Sequence, residues 1–200
     1  MNTHYLASLF TPQSVALFGA SDRADSVGGV VFKNLRTSGF EGRIYAINTR
    51  RDEVQGQKAF SSLDEIEETV DLAVVATPAH GIPDIVEACG ERGIKMMLIL
   101  SAGFREIGAE GRTLEDRVVE LAKRYGIRLM GPNCLGIIRP DRGLNITFGK
   151  TMILSGRPWK LSVEVNYFVE QPDAFGPQWL ISFNITPVVP NFIENWIKGM

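Results

Sequence analysis

Cysteine is scarce in this chain: Cys89 and Cys134 are the two in 200 residues. They form no C-x-x-C pair and no metal-ligand spacing, so neither a disulfide framework nor a zinc site is expected, and a reduced, cytoplasmic setting follows. Histidine is equally rare, with His4 in the leader and His80 in a loop. There is no Ser/His/Asp arrangement and no Walker loop, and no histidine stands near Cys134 in sequence to activate it. Met1–Ser8 lacks a basic-then-apolar signal region, and no apolar run is long enough for a spanning helix, so no membrane is expected. A net charge of -2 gives no electrostatic argument for nucleic acid. With 44% hydrophobic residues over this length, the chain can build one core, or one core and an appendage.

What is present is strand alternating with helix. Val15–Phe18, Arg43–Asn48, Asp71–Ala76, Lys95–Leu100 and Arg128–Met130 are short apolar runs. Between them lie helical patterns at Val27–Leu35, Ile82–Cys89 and Glu110–Tyr125, and a short helix at Ser62–Ile66 with Ser62 as cap and Glu65 three residues on. Continuous apolar runs, as opposed to alternation, mark strands buried on both faces of a parallel sheet. The expected fold is α/β, a Rossmann-like doubly wound parallel sheet over residues 1–150. From Thr151–Pro158 onward the texture changes. Leu161, Val163, Val165, Tyr167 and Val169 alternate with mostly polar residues, and after a loop at Gln171–Pro177 so do Trp179, Ile181, Phe183 and Ile185. That period of two predicts a C-terminal β-hairpin appendage over 151–200.

Ligands on doubly wound sheets sit beyond the carboxyl ends of the strands. The loop after the first strand, Gly19–Gly28, offers a tight glycine turn and then a helix N-terminus, which presents unpaired N–H groups to an anion. It is not the dinucleotide fingerprint: Ser21 stands where G-x-G-x-x-G needs its second glycine, and Gly28 comes late. The second strand runs into Asn48-Thr49-Arg50-Arg51, where a dinucleotide site would place a carboxylate for the ribose. Guanidinium groups there suit a phosphate on the ribose, a 2′-phosphate in NADP or a 3′-phosphate in coenzyme A. A solvated loop edge is the third reading, and the residues alone leave all three open. Thr77-Pro78-Ala79 and Ser101-Ala102-Gly103 follow the third and fourth strands with small residues that admit an extended ligand chain. His80 reads as a surface residue capping the next helix.

Taken in order, SVALFGAS, GFEGRIYAIN, VDLAVVATPA, LILSAGF and GIRLMGPNCLGII resemble the CoA-binding domain of the NDP-forming acyl-CoA synthetases, the superfamily of the succinyl-CoA synthetase α subunit. The likeness runs from about Leu9 to Phe148. It is strongest to the N-terminal region of bacterial proteins that join a synthetase-like part to a lysine acetyltransferase domain. The resemblance implies binding of CoA or acyl-CoA. It places Gly19, Ser21, Val27 and Gly28 at the phosphates. Asn48, Arg50 and Arg51 fall at the adenosine and its 3′-phosphate, which favours CoA over NADP. Thr77, Pro78, Ala79 and Ile82 fall along the pantetheine, with Ser101, Ala102 and Gly103 beside it, and Asn133 and Cys134 at the thiol end. It also implies what is missing. The phosphohistidine of the synthetases lies in a following domain, and this sequence departs from the pattern after Phe148-Gly149, so the chain is expected to bind and not to catalyse alone. A separate synthetase subunit is then the expected partner. Residues 160–190 resemble closing strands of an outer-membrane β-barrel. Two strands cannot close a barrel of about eight, so an abnormal junction near Thr151–Pro158, by truncation, fusion or frame change, is the expectation, with a native hairpin that covers a sheet edge as the alternative.

Overall fold

The computed structural model describes residues 7–147, 150–154, 157–167 and 179–187, the last three segments as backbone strands. The chain divides into two compact units, Met1–Phe148 and Gly149–Met200.

In the first unit a one-turn helix α1 (Ala7–Phe10) precedes β1 (Ser14–Phe18), α2 (Val27–Thr37), β2 (Arg43–Ile47), β3 (Glu53–Val54), β4 (Gln57–Phe60), β5 (Leu72–Val75), α3 (Ile82–Glu91), β6 (Met96–Ile99), α4 (Ala109–Tyr125), β7 (Arg128–Met130), β8 (Gly136–Arg139) and β9 (Leu144–Thr147). The sheet order is β3-β4-β2-β1-β5-β6-β7, parallel throughout except for β3. Counting only parallel strands, this is the 3-2-1-4-5-6 order of a Rossmann sheet; the apolar runs predicted the doubly wound parallel sheet and five of these six strands, all but β4. The topological switch point falls between β1 and β5, where Val15 pairs with Leu72 and Phe18 with Val75.

The runs are continuous because both faces of each strand are covered. Val15 and Leu17 point to the face where α2 packs Val31, Phe32 and Leu35, all fully buried. Ala16 and Phe18 point to the other, against Val86 and Cys89 of α3 and Val118 of α4. Burial of each such large side chain stabilises the fold by roughly 1.5–3 kcal/mol, and the fully buried strands β1, β5 and β6 are the ones composition marks most plainly.

Two hairpins lay outside the sequence expectation. β3 and β4 turn on Gln55-Gly56, with φ of 49° and 76°; a turn with both φ values positive usually carries Asn-Gly or Asp-Gly. β8 and β9 pair antiparallel and bury Leu144 and Ile146 beside α2, where Asn34 Nδ2 donates to the Thr147 carbonyl at 2.9 Å. This hairpin fills the face that a second helix would otherwise cover. The expected helix at Ser62–Ile66 is a 3₁₀ turn, Leu63–Glu65. Ser62 Oγ accepts from the Asp64 amide, while Glu65 reaches back one residue further than a capping box, to the amide of Ser61.

The second unit is a three-stranded antiparallel sheet, β10 (Lys150–Leu154), β11 (Arg157–Tyr167) and β12 (Trp179–Pro187), in that order. The alternating segments pair as a hairpin, with Val163 opposite Phe183 and Tyr167 opposite Trp179. β10 was not anticipated; it pairs Lys150 with Leu161 and Leu154 with Arg157. Val169 and the loop at Gln171–Pro177 lie outside the described residues, as does His4. No helix among the described residues is long and apolar enough to cross a membrane.

Candidate functional site

A cleft of about 620 Å³ opens at the switch point, at the carboxyl ends of β1, β2 and β5. The tight turn after β1 begins at Gly19, whose φ is +86° and whose amide donates to the Ile47 carbonyl at 3.0 Å. A Cβ at Gly19 would stand 2.8 Å from the Ala76 carbonyl oxygen, and one at Gly28 1.8 Å from the Gly19 carbonyl oxygen. Strand, turn and helix thus touch backbone to backbone. Gly28 does the packing that the last glycine of a dinucleotide fingerprint performs, four residues later in sequence. Ser21, at the position of the missing glycine, accepts from the Arg23 amide at 3.1 Å and so shapes the longer loop.

At the start of α2, Ser26 caps the helix: its Oγ accepts from the Gly29 amide at 3.1 Å, and its own amide donates to the Arg23 carbonyl. The remaining first-turn amides, those of Val27 and Gly28, have no carbonyl within the helix to bond. Both residues line the cleft. The helix dipole adds a positive potential there.

Of the sixteen sequence-derived positions, the cleft wall brings together Gly19, Ser21, Val27, Gly28, Asn48, Arg50, Thr77 and Pro78. Asn48 fixes the loops: its Nδ2 donates to the Ala20 carbonyl at 2.8 Å and its Oδ1 accepts from the Arg50 amide at 2.9 Å. The Arg50 guanidinium is exposed and has no ion-pair partner among the described residues. Arg51 is not on the wall; it pairs with Asp22 at 2.9 Å. Thr77 Oγ1 is buried without a hydrogen-bond partner among the described residues, a cost of about 1–3 kcal/mol that a ligand could relieve.

Ser101 and Asn133 form a second cluster joined to the cleft through Thr77. Ser101 Oγ donates to the Thr77 carbonyl at 2.5 Å, and the Asn133 amide donates to the Ser101 carbonyl at 3.0 Å. Asn133 itself has φ of 55°. Gly103 packs near Ala79, and its amide donates to Glu106 at 2.5 Å. That hydrogen bond, first among several, holds the Glu106 carboxyl below the usual carboxylate range. Ala102 is exposed. Ile82 is fully buried in the core and faces no opening, because it is the first apolar residue of α3 on its sheet side. Cys134 donates to the Ile99 carbonyl at 3.3 Å, and burial pushes its thiol pKa up; burial pushes Cys89 up to about 12. Neither thiol is primed as a nucleophile. His80 is exposed, and α3 has no side-chain cap, so the expected capping role is not made. Among the described residues no group of acidic, cysteine or histidine side chains could hold a metal.

The sequence reading missed the far wall: Ser61, Ser62 and Leu63 after β4, and Asp84, Ile85 and Ala88 on α3. Nothing in their spacing distinguishes them from a helix face and a turn. The strand order alone brings them opposite Gly19.

The CoA binding domain family matches residues 13–140. The α subunit of the ADP-forming acetate–CoA ligase I of Pyrococcus furiosus is 42% identical over 155 residues, 76% of this chain and 34% of that subunit. The ADP-forming acetate–CoA ligase of Methanocaldococcus jannaschii is 45% identical over 139 residues, 70% of this chain and 19% of the enzyme. Among solved structures, the dinucleotide-forming acetyl-coenzyme A synthetase 1 of Ca. Korarchaeum cryptofilum, in complex with phosphate and ADP, superposes with a TM-score of 0.69 at 35% identity, covering 75% of this chain and 32% of that one. The match spans between about a fifth and a third of the length of these relatives.

Proposed function

The chain belongs to the CoA-binding domain family, and from that premise we propose that its switch-point cleft holds the phosphoadenosine diphosphate part of CoA or of an acyl-CoA. The observation that carries this reading is the set of donors at the cleft: the Val27 and Gly28 amides and the Arg50 guanidinium, which has no ion-pair partner among the described residues. They fit the ligand. Two first-turn amides at a positive helix end suit a diphosphate, and a free guanidinium suits a 3′-phosphate by charge and fork geometry. The cleft lies within the ~300–1,000 Å³ usual for small-ligand sites.

The pantetheine arm would leave past Thr77 and Pro78, where the orphan Thr77 hydroxyl can bond one of its amides. It would run beside Ser101–Gly103 toward Asn133 and Cys134. When bound, CoA supplies the thiol that accepts or donates the acyl group. This chain's residues contribute binding and orientation, with Cys134 as a neutral neighbour. The relatives reported above are ligases, so the synthetase reading is preferred to an acetyltransferase one. In that reading the domain serves in the cytoplasm and presents CoA to a further synthetase subunit or domain that carries the phosphoryl relay. Residues 151–200 would be an appendage to it. An NADP site is the competing reading, carried by arginine after β2.

Calorimetric titration with CoA, dephospho-CoA and NADP decides between them. CoA should bind most tightly, dephospho-CoA about tenfold or more weaker through loss of a charge-assisted pair, and NADP weakest. Equal affinity for CoA and dephospho-CoA would remove the role given to Arg50; preference for NADP would overturn the reading. A chain ending at Lys150 should keep the affinity for CoA, and its loss would make the second unit part of the site.

A further inference from the structure

Gln55 stands where local chemistry disfavours it. It is the first residue of the β3–β4 turn with φ of 49°, a backbone region that Gly, Asn and Asp occupy at lower cost. Its side chain accounts for its presence. Gln55 Nε2 lies 2.9 Å from the Ser21 carbonyl oxygen and 2.9 Å from the Gly29 carbonyl oxygen. Those two carbonyls bracket the loop that delivers Val27 and Gly28 to the cleft. The residue is itself held at both backbone atoms: its amide donates to Asp22 Oδ1 at 2.6 Å, and its carbonyl accepts from Arg36 Nη1 of α2 at 2.5 Å. The other Asp22 oxygen takes Arg51. One half-buried amide therefore uses both of its N–H groups to close the loop from Ser21 to Gly29, from a turn that is pinned to that loop and to the helix behind it.

The geometry points to Gln55 as a positioning residue for ligand binding, a staple that fixes the Val27 and Gly28 amides by tying Ser21 to Gly29. The inference rests on the CoA reading of the cleft for its ligand but not for its geometry. Only a primary amide of this length does the task. A carboxylate would repel both carbonyls, and a methionine of equal length offers no donor. Pre-ordering the loop before the ligand arrives spares the ligand the ordering cost.

A residue kept only for its turn would be improved by glycine, and that separates the two roles. Gln55→Gly retains the backbone bonds to Asp22 and Arg36 and relieves the turn, but removes the staple. Gln55→Met removes it at equal length. In the full chain, each variant should bind CoA and dephospho-CoA more weakly by one common factor, about tenfold or more for two lost hydrogen bonds. The ratio between the two ligands should stay as in the unmodified chain, because Arg50 is untouched. Thermal melting should fall little in the glycine variant. Backbone ¹⁵N order parameters of residues 21–28, measured without ligand, should drop in both. Affinity unchanged in both variants overturns the inference. So does affinity lost with the loop still ordered, since Gln55 would then touch the ligand itself. If the unmodified chain fails to bind CoA, the functional reading falls, and the order parameters alone judge the staple: a loop equally ordered in both variants refutes it.

Discussion

The carboxyl edge of the sheet has two ends built in opposite ways. Around β1 and β2 the loops are tied by side chains from elsewhere, Asn48 to Ala20 and Gln55 to Ser21 and Gly29, while Val27 and Gly28, whose first-turn amides have no partner within the helix, line the cleft. Around β6 and β7 the loops satisfy themselves. The Gly103 amide bonds Glu106, Asn133 bonds Ser101, and Cys134 bonds Ile99. Arg105 adds an ion pair to Glu115 of α4 at 2.7 Å. A donor already bonded gives a ligand little, since the exchange of one hydrogen bond for another is near neutral; a donor held open gives more. The difference teaches that, on the proposed reading, affinity would be concentrated at the first end, while the second would act as a shaped wall for the ligand to pass.

The largest way to break this comparison is at the backbone contact on which the first end depends. Gly28→Ala puts a Cβ 1.8 Å from the Gly19 carbonyl and should cost about 3 kcal/mol or more, with CoA binding lost; urea melts and calorimetry read both. Ala102→Ser at the second end, on an exposed residue, should leave stability within about 0.5 kcal/mol. If both variants behaved alike, the asymmetry would be gone. Next, Arg50→Ala should weaken CoA by about tenfold to a hundredfold with little effect on dephospho-CoA. Arg51→Ala should do less, because Asp22 already holds that guanidinium; the reverse order in paired titrations would show that the phosphate competes Arg51 away from Asp22. The smallest effect sharpens the junction between the ends. Thr77→Val removes a buried hydroxyl that has no partner among the described residues. The ligand-free protein should melt no lower, while CoA should bind about fivefold more weakly, the worth of one hydrogen bond. A lower melting temperature with unchanged affinity would assign the hydroxyl to the fold instead.

The sequence made the sheet legible because its central strands are buried on both faces, and burial of that kind leaves continuous apolar runs with no alternative use. It made Gly19 and Gly28 legible as a turn and a helix start, and Arg50 as a cation at a strand end. The β3–β4 hairpin was not legible: strands of two and four residues carry no period, and Gln55-Gly56 does not announce a turn. Ile82 read as a candidate wall residue from its place after Thr77-Pro78-Ala79, but a helix turns 100° per residue and carried it into the core. Gln55 had no signal except its mismatch with the turn it occupies, and such mismatches gather at functional sites.

What the sequence by itself determined is the architecture, the edge at which a ligand would sit and the family to which residues 13–140 belong. The first two rest on composition and on spacing along the chain, the third on motifs whose order resembles that family. What only the tertiary structure decided is which polar groups remain open. Among the described residues Arg50 has no ion-pair partner and Arg51 has one, because Asp22 reaches Arg51 from 29 residues away, and the loop after β1 is bonded by Gln55 from 34. Hydrogen-bond saturation depends on neighbours in space, and the strand order that makes them neighbours is settled only when the sheet forms.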